Sequence, residues 1–222
     1  MLSLIVPMLD EAAGIGAHLQ ALQPLRARGH ELIVVDGGSR DASLELAEPW
    51  CDQLLRSDRG RARQMNAGAA HAHGDALVFL HADTRLPPDA DAAIEAALRA
   101  GAAWGRFDVC IEGRSRWFPV IAALMNLRSR LSGIATGDQA IFVQAALFRR
   151  VGGFAEVPLM EDVQLSRRLK TISRPACLRQ RVLTSGRRWE TRGVWRTIWL
   201  MWRLRWRYWR GANPEALARA YR

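Results

Sequence analysis

Glu31 to Asp36 reads ELIVVD and is followed at once by Gly37, Gly38 and Ser39. A short apolar run rich in β-branched residues, closed by a polar glycine cluster, is the pattern of a strand buried on both faces of a parallel sheet. Working outward, the same pattern recurs upstream at Ser3 to Pro7 (SLIVP) and downstream at Ala76 to His81 (ALVFLH). Glu11 to Leu25, Asp41 to Glu48 and Gly60 to Ala72 lie between these runs and are expected as crossover helices. Strand and helix therefore alternate, which predicts an α/β fold with right-handed connections. Further on, Pro87 and Pro88 open a helix running to about Ala100, and Trp104 to Ile111 reads as another strand. Ile141 to Val143 is expected as a short strand, Gln144 to Val151 as a short helix ended by Gly152 and Gly153, and Glu161 to Leu169 as a helix.

The 222 residues, 49% hydrophobic and 24% charged, suit one large domain with a buried core and exclude a disordered or collagen-like chain. Cys51, Cys110 and Cys177 show no CxxC spacing, so neither a disulfide framework nor a four-cysteine zinc site is expected, and a reducing cytosol suits them. Asp10 and Glu11 interrupt the place where a signal peptide would continue its apolar stretch. No run approaches the roughly 18 apolar residues of a membrane span. The expectation is a cytoplasmic protein that does not cross a membrane.

The formal charge of +10 is unevenly divided: Arg187 to Arg222 holds ten arginines against Glu190 and Glu215, a net of +8, leaving 22 basic minus 20 acidic residues, or +2, for the rest. A nearly neutral body argues against nucleic acid as the partner. There is no GxxxxGK[ST] sequence, and Lys170 is remote from any glycine-rich loop, so a P-loop ATPase is excluded.

In an open parallel sheet, ligands bind beyond the carboxyl ends of the strands. Here those ends carry Asp10 and Glu11, then Asp36, then His81 and Asp83. Each aspartate has the alternative role of capping the helix that follows. Arg61 and Arg63 stand at the start of an expected helix, where fixed positive charge and free backbone N–H groups make an anion cradle; solvated surface arginines are the alternative.

The ordered set SLIVPMLDE (3–11), VVDGGSRD (34–41), GRARQMNAGAAHAHGDALVFLHADT (60–84), GDQAIFV (137–143) and MEDVQLSRRL (160–169) resembles the family 2 glycosyltransferases. It is most similar to a small bacterial branch with an HADT motif and a TSxRRW segment, matched by Thr184 to Trp189. The resemblance implies a GT-A, Rossmann-like domain with a mostly parallel central sheet. It implies that Pro7, Glu11, Asp36 and Gly37 line a nucleotide pocket, with Asp36 on the base or ribose, and that Arg61 contacts a diphosphate. Asp83, the second aspartate of the family's DxD motif, would hold Mg²⁺ or Mn²⁺. His81 replaces the first; as the end of a buried strand it is either a second ligand or a hydrogen-bonded structural residue. Asp162 matches the catalytic base, which implies one displacement with inversion. Gly137, Asp138 and Gln139 match acceptor-side or donor-sugar contacts, and Arg188 and Trp189 match a segment closing over the diphosphate. The reaction implied is transfer of a sugar from a nucleotide-diphospho-sugar to an acceptor hydroxyl. A nucleotidyltransferase, or a non-enzymatic basic-aromatic nucleic-acid-binding protein, are the alternatives.

Residues 1–190 are expected as the catalytic domain and 191–222 as a basic, tryptophan-rich helical extension. Trp195, Trp199, Trp202, Trp206 and Trp209 follow steps of four, three, four and three, so they share one helical stripe beside Arg196, Arg203, Arg207 and Arg210, while Leu200 and Leu204 point elsewhere. The stripe suits peripheral contact with an anionic membrane at its inner face, and with it a lipid-linked acceptor. Docking on the catalytic domain as core, or on another subunit, are the competing readings. Trp117 to Leu127 is expected as a buried helix, with a second lipid- or acceptor-facing surface as its alternative.

Overall fold

The computed structural model describes residues 1–221. In chain order the elements are β1 (Leu2–Met8), α1 (Ile15–Ala21), α2 (Gln23–Ala27), β2 (Glu31–Asp36), α3 (Ser43–Ala47), β3 (Gln53–Arg56), α4 (Arg61–His71), β4 (Ala76–Phe79), β5 (Thr84–Arg85) and α5 (Ala90–Arg99). There follow β6 (Trp104–Glu112), α6 (Phe118–Ser132), β7 (Ile141–Gln144), α7 (Ala145–Arg150), α8 (Glu161–Lys170), β8 (Ala176–Ser185), α9 (Arg187–Arg192), α10 (Val194–Trp209) and α11 (Pro214–Tyr221). The strands form one sheet in the order β3-β2-β1-β4-β7-β6-β8-β5. Pairing is parallel among β3, β2, β1 and β4 and between β6 and β8. It is antiparallel where β7 joins β4 to β6 and where β5 joins β8. The α/β class and the mostly parallel sheet expected from the sequence are what the chain adopts.

The period of two along each strand splits the core into two layers. Leu4, Val6, Leu32, Val34 and Val78 face one side, where Ile15 and Leu19 of α1, Ile94 of α5 and Phe118 of α6 cover them. Ile5, Ile33, Val35, Leu77 and Phe79 face the other, under Met65 and Ala69 of α4, Phe148 of α7 and Leu165 of α8. Gly68 lets α4 lie close on the sheet, because a Cβ there would sit 2.5 Å from Ile5. A third, smaller cluster joins Leu204 of α10 and Leu217 of α11 to Met160 and Val163 at the start of α8.

Several expectations need correction. The helix read as Glu11 to Leu25 is two helices, α1 and α2, because Pro24 begins a new first turn. The strand from Ala76 stops at Phe79, which frees His81 from the sheet. Strands β3, β5 and β8 carry no strong β-branched run and escaped the pattern altogether. The segment at Trp117 is only half buried: Phe118, Ile121 and Ala122 enter the core while Val120, Leu124, Leu127 and Leu131 are exposed. The tryptophans of α10 are not core either. The helix docks through Thr197 and Leu204, and all five tryptophans face outward.

Two buried titratable groups make stability pH-dependent. Burial pushes the His18 imidazole down to about 4, and its Nε2 has no partner. Against burial, hydrogen bonds from Arg28, the Ala92 backbone and His30 hold Asp91 at about 2. In both cases the unfolded chain binds more protons, so stability falls as pH drops: from 6.5 towards about 4 for His18, and from 3.8 towards about 2 for Asp91. Urea midpoints measured against pH are expected to flatten in the first window for His18→Leu and in the second for Asp91→Asn.

Candidate active site

The candidate cleft lies at the carboxyl ends of β1, β2 and β4, where an open parallel sheet binds its ligands. Met8 and Asp36 are paired across β1 and β2, and the Gly37 N–H donates to the Met8 carbonyl at 2.9 Å. Buried Gln64 of α4 donates from Nε2 to the carbonyls of Met8 (2.7 Å) and Val35 (2.8 Å), tying both strand ends together. A Cβ on Gly37 would stand 2.9 Å from that amide, so glycine is required for the close approach. Asp36 is 1% exposed, and its carboxylate accepts hydrogen bonds from the Gly38 N–H (3.0 Å), the Ser39 N–H (3.1 Å) and the Ser39 hydroxyl (2.5 Å). Its hydrogen bonding is directed into its own turn.

Across from this turn, charges gather. Burial raises the Glu11 carboxyl, Arg187 opposes the rise, and Asp83 and Asp41 add to it. Arg61, at the first turn of α4, also acts on Glu11 and reaches Glu161 at 3.5 Å. Asp83 is exposed, and its carboxylate accepts from the Thr84 hydroxyl at 3.4 Å. Arg188 feels both Arg61 and Asp83. Thr84 pairs with Thr184 between β5 and β8, hydroxyl to hydroxyl at 3.2 Å, and the Ser185 N–H donates to the Asp83 carbonyl. The late segment 184–189 is thereby clamped beside 81–84.

His81 links the charged side to the opposite wall. Burial, then Arg61 and Arg188, hold its imidazole well below the usual value, so it is neutral at physiological pH. Its Nε2 is buried without a hydrogen-bond partner. A Cβ on Gly137 would lie 2.3 Å from that nitrogen. The Gly137 N–H in turn donates to Asp162 Oδ2 at 2.9 Å, while Asp162 Oδ1 accepts from the Val163 N–H at 2.7 Å in the first turn of α8. Glu161 beside it is buried and raised by that burial and by Asp162. Among the described residues, the non-glycine positions with positive φ are Asp10 (52°), Ala140 (47°) and Met160 (71°). Each adjoins a wall of the cleft, and each stores about 1–3 kcal/mol of backbone strain that the surrounding packing must hold.

The sequence profile described as Glycosyl transferase family 2 matches residues 3–154. The chain belongs to that family. An uncharacterized glycosyltransferase of Mycobacterium tuberculosis is 32% identical over 189 residues, covering 80% of this chain and 71% of that protein. S. aureus TarS 1-349 in complex with UDP-GlcNAc shares the fold with a TM-score of 0.68 at 16% identity, over 83% of this chain and 58% of that one. The mannosyltransferase PcManGT from Pyrobaculum calidifontis, in complex with GDP-Man and Mn²⁺, does so with a TM-score of 0.61 at 21% identity, over 82% of this chain and 56% of that one. The chain thus spans under three fifths of the length of these two solved structures. The matched family and relatives are glycosyltransferases, the first of the readings the sequence offered.

Within this family 2 fold, electrostatic interactions link Glu11, Arg61, His81, Asp83 and Arg188, and the approach of His81 to Gly137 joins them to Asp162; Pro7 lies near the end of β1 and Gly37 directly follows β2. Two residues expected as ligand contacts have partners within the chain. Gln139 is fully buried, and its Oε1 accepts from the Thr136 N–H in a capping box. Trp189 packs on the main core. Asp138 accepts from the Thr136 hydroxyl at 2.5 Å, and its carboxyl is raised by burial. Arg128 of α6 went unnoticed in the sequence. Burial, then Arg205, lower it to about 10, Asp138 and Asp162 lie near it, and its Nε has no hydrogen-bond partner. Nothing distinguishes Arg128 in a chain whose basic residues are almost all arginine.

Proposed function

We propose that this glycosyltransferase moves a sugar from a nucleotide-diphospho-sugar to an acceptor hydroxyl by one inverting displacement, with residues 1–190 carrying the chemistry. The observation that carries the reading is the arrangement of the two walls. Glu11, Asp83 and three arginines, Arg61, Arg187 and Arg188, gather on one side, and Asp162 stands beyond His81 and Gly137 on the other. Pro7, Glu11 and the Gly37 backbone line the nucleotide side, with Asp36 holding the turn. Arg61 and Arg188 meet the diphosphate and stabilise its charge as it leaves. Asp162 takes the proton from the acceptor hydroxyl as the new bond forms. Its two backbone N–H bonds keep the carboxylate oriented, and each oxygen retains a second lone pair for the acceptor.

The residues present fit a divalent cation. Asp83 offers an exposed carboxylate, and His81 is a neutral imidazole whose Nε2 lacks a partner. No group of three or more His, Cys, Asp or Glu side chains that could hold a metal occurs among the described residues. Two protein donors at most suit Mg²⁺ or Mn²⁺, which take their remaining ligands from water and phosphate oxygens. Such an ion, when bound, neutralises the diphosphate charge. The acceptor side is bordered by Asp138, Arg128 and Arg205, and we assign it to a lipid-linked acceptor at the inner face of a membrane.

Thermal unfolding in the presence of individual nucleotide-sugars tests the donor reading. One of them is expected to raise Tm, with a further rise on adding Mn²⁺. In Asp83→Ala the Mn²⁺-dependent part is expected to vanish while Tm without ligand stays within about 2 °C, because an exposed side chain with one long hydrogen bond is removed. Stabilisation by no nucleotide-sugar, or a Mn²⁺ effect untouched by Asp83→Ala, overturns the corresponding part.

A further inference from the structure

Two helices remote in sequence each leave an apolar stripe uncovered. On α10, Trp195, Trp199, Trp202, Trp206 and Trp209 are 58–71% exposed. On α6, Trp117 at its start and Val120, Leu124, Leu127 and Leu131 are 42–74% exposed. Their intervals of three, four, three and four keep these residues on one helical face, as the intervals of α10 do for the tryptophans. The stripes meet where the rings of Trp117 and Trp195 pack edge-on, 5.0 Å between centroids. About ten residues further along both helices, Arg205 is near enough to Arg128 to help lower its pKa. Two exposed apolar stripes that touch through this ring pair mark a binding surface.

The charges around the patch select its occupant. Neither α6 nor α10 contains an Asp or Glu, whereas α10 carries Arg196, Arg203, Arg205 and Arg207, with Arg210 just beyond. The Arg203 guanidinium lies over the Trp199 ring at 5.0 Å and that of Arg210 over Trp206 at 5.2 Å, so positive charge sits at the level of the rings. A second copy of this chain would set arginine against arginine with no carboxylate on either helix to offset it. No helix among the described residues is long and apolar enough to cross a membrane, so the pair would lie in the surface plane.

We propose that α6 and α10 together form a docking surface for an anionic phospholipid bilayer. The tryptophan rings lie at the headgroup boundary, the leucines of α6 enter the acyl region, and the arginines meet lipid phosphates. Arg128 of α6 reaches the Thr136 hydroxyl at 3.5 Å, beside Asp138, and the charges of Arg128 and Arg205 both act on Asp138. A lipid-linked acceptor held in the bilayer would therefore approach Asp162 from this face. That last step rests on the glycosyl-transfer reading above, whereas the bilayer contact does not.

The test uses the full chain and phosphatidylcholine vesicles with or without phosphatidylglycerol, in the absence of any donor. Co-sedimentation is expected with the anionic vesicles only, accompanied by a blue shift of tryptophan emission. Trp199→Ser/Trp202→Ser/Trp206→Ser and, separately, Leu124→Ser/Leu131→Ser are each expected to lower the partition coefficient by about tenfold or more. Arg203→Gln should lower it by about fivefold. Circular dichroism and Tm identify variants that fold, and exposed positions are chosen so that they do. Unchanged partition in the tryptophan variant overturns the proposal, and unchanged partition in the leucine variant removes α6 from it. Absence of vesicle binding together with a dimer that the tryptophan variant dissociates assigns the patch to a second copy instead. Either failure leaves donor-induced stabilisation intact, so it is distinguishable from failure of the glycosyltransferase reading.

Discussion

Asp162→Asn is expected to lower kcat by about a thousandfold while leaving nucleotide-sugar affinity nearly unchanged, the signature of losing a group that acts only as the acceptor is deprotonated. The asparagine amide occupies the same volume but cannot accept a proton. It can keep only one of the two backbone hydrogen bonds, from Gly137 or Val163, because its NH₂ group faces the other N–H. A stability loss of about 1 kcal/mol, or roughly 2–4 °C in Tm, should therefore accompany the kinetic effect. Single-turnover rates at saturating donor, measured below that Tm, separate the two. Glu161 does not stand in for the lost carboxylate, since it is 5% exposed and turned towards Arg61. Turnover retained by purified Asp162→Asn protein would place the base elsewhere and remove the inverting mechanism with it.

The second large effect is expected at a residue with no side chain. Alanine at Gly137 would put its Cβ 2.3 Å from His81 Nε2 and 2.5 Å from Cε1. The imidazole, whose Nε2 is buried, must turn away, or the 137–139 turn must move and take the Gly137 N–H off Asp162. Either shift displaces a cleft group by about 1 Å, for which a loss of about a hundredfold in kcat/KM is a reasonable scale. Gly14→Ala is the matched control, because its Cβ would meet nothing within 4 Å. Equal activity in the two folded variants would show that the His81–Gly137–Asp162 chain of contacts is not part of the working geometry.

Much of the fold was legible because strands buried on both faces announce themselves. The runs at Leu32–Val35 and Leu4–Val6 are apolar at every position and need no partner to be recognised. Strand β8 was not legible. Its Arg179, Gln180 and Arg181 break the run, a register shift interrupts its pairing with β6, and its strand character comes from neighbours 70 residues away. The site divides in the same way. That Asp83 and Asp162 end structured segments could be read from position alone, but the clamp between Thr84 and Thr184, which sets Arg188 beside Asp83, is a long-range pairing with no local signature. For Asp36 the sequence left both a ligand contact and a capping role open, and the structure shows the turn hydrogen bonds of the second; Gln139 is buried with its Oε1 on the Thr136 N–H, a partner that position alone did not announce.

What the sequence by itself determined is which residues travel together: the alternating faces of β1 and β2, the order of the acidic strand ends, and the single stripe shared by five tryptophans. Periodicity follows from backbone geometry, which every segment carries within itself. Which of those faces meets solvent was decided only in the tertiary structure. Leu204 went inward and the tryptophans outward because the start of α8 offered Met160 and Val163 as a seat for α10 and α11. A helix can display its apolar sides in sequence, but the choice between them belongs to the surface it packs against.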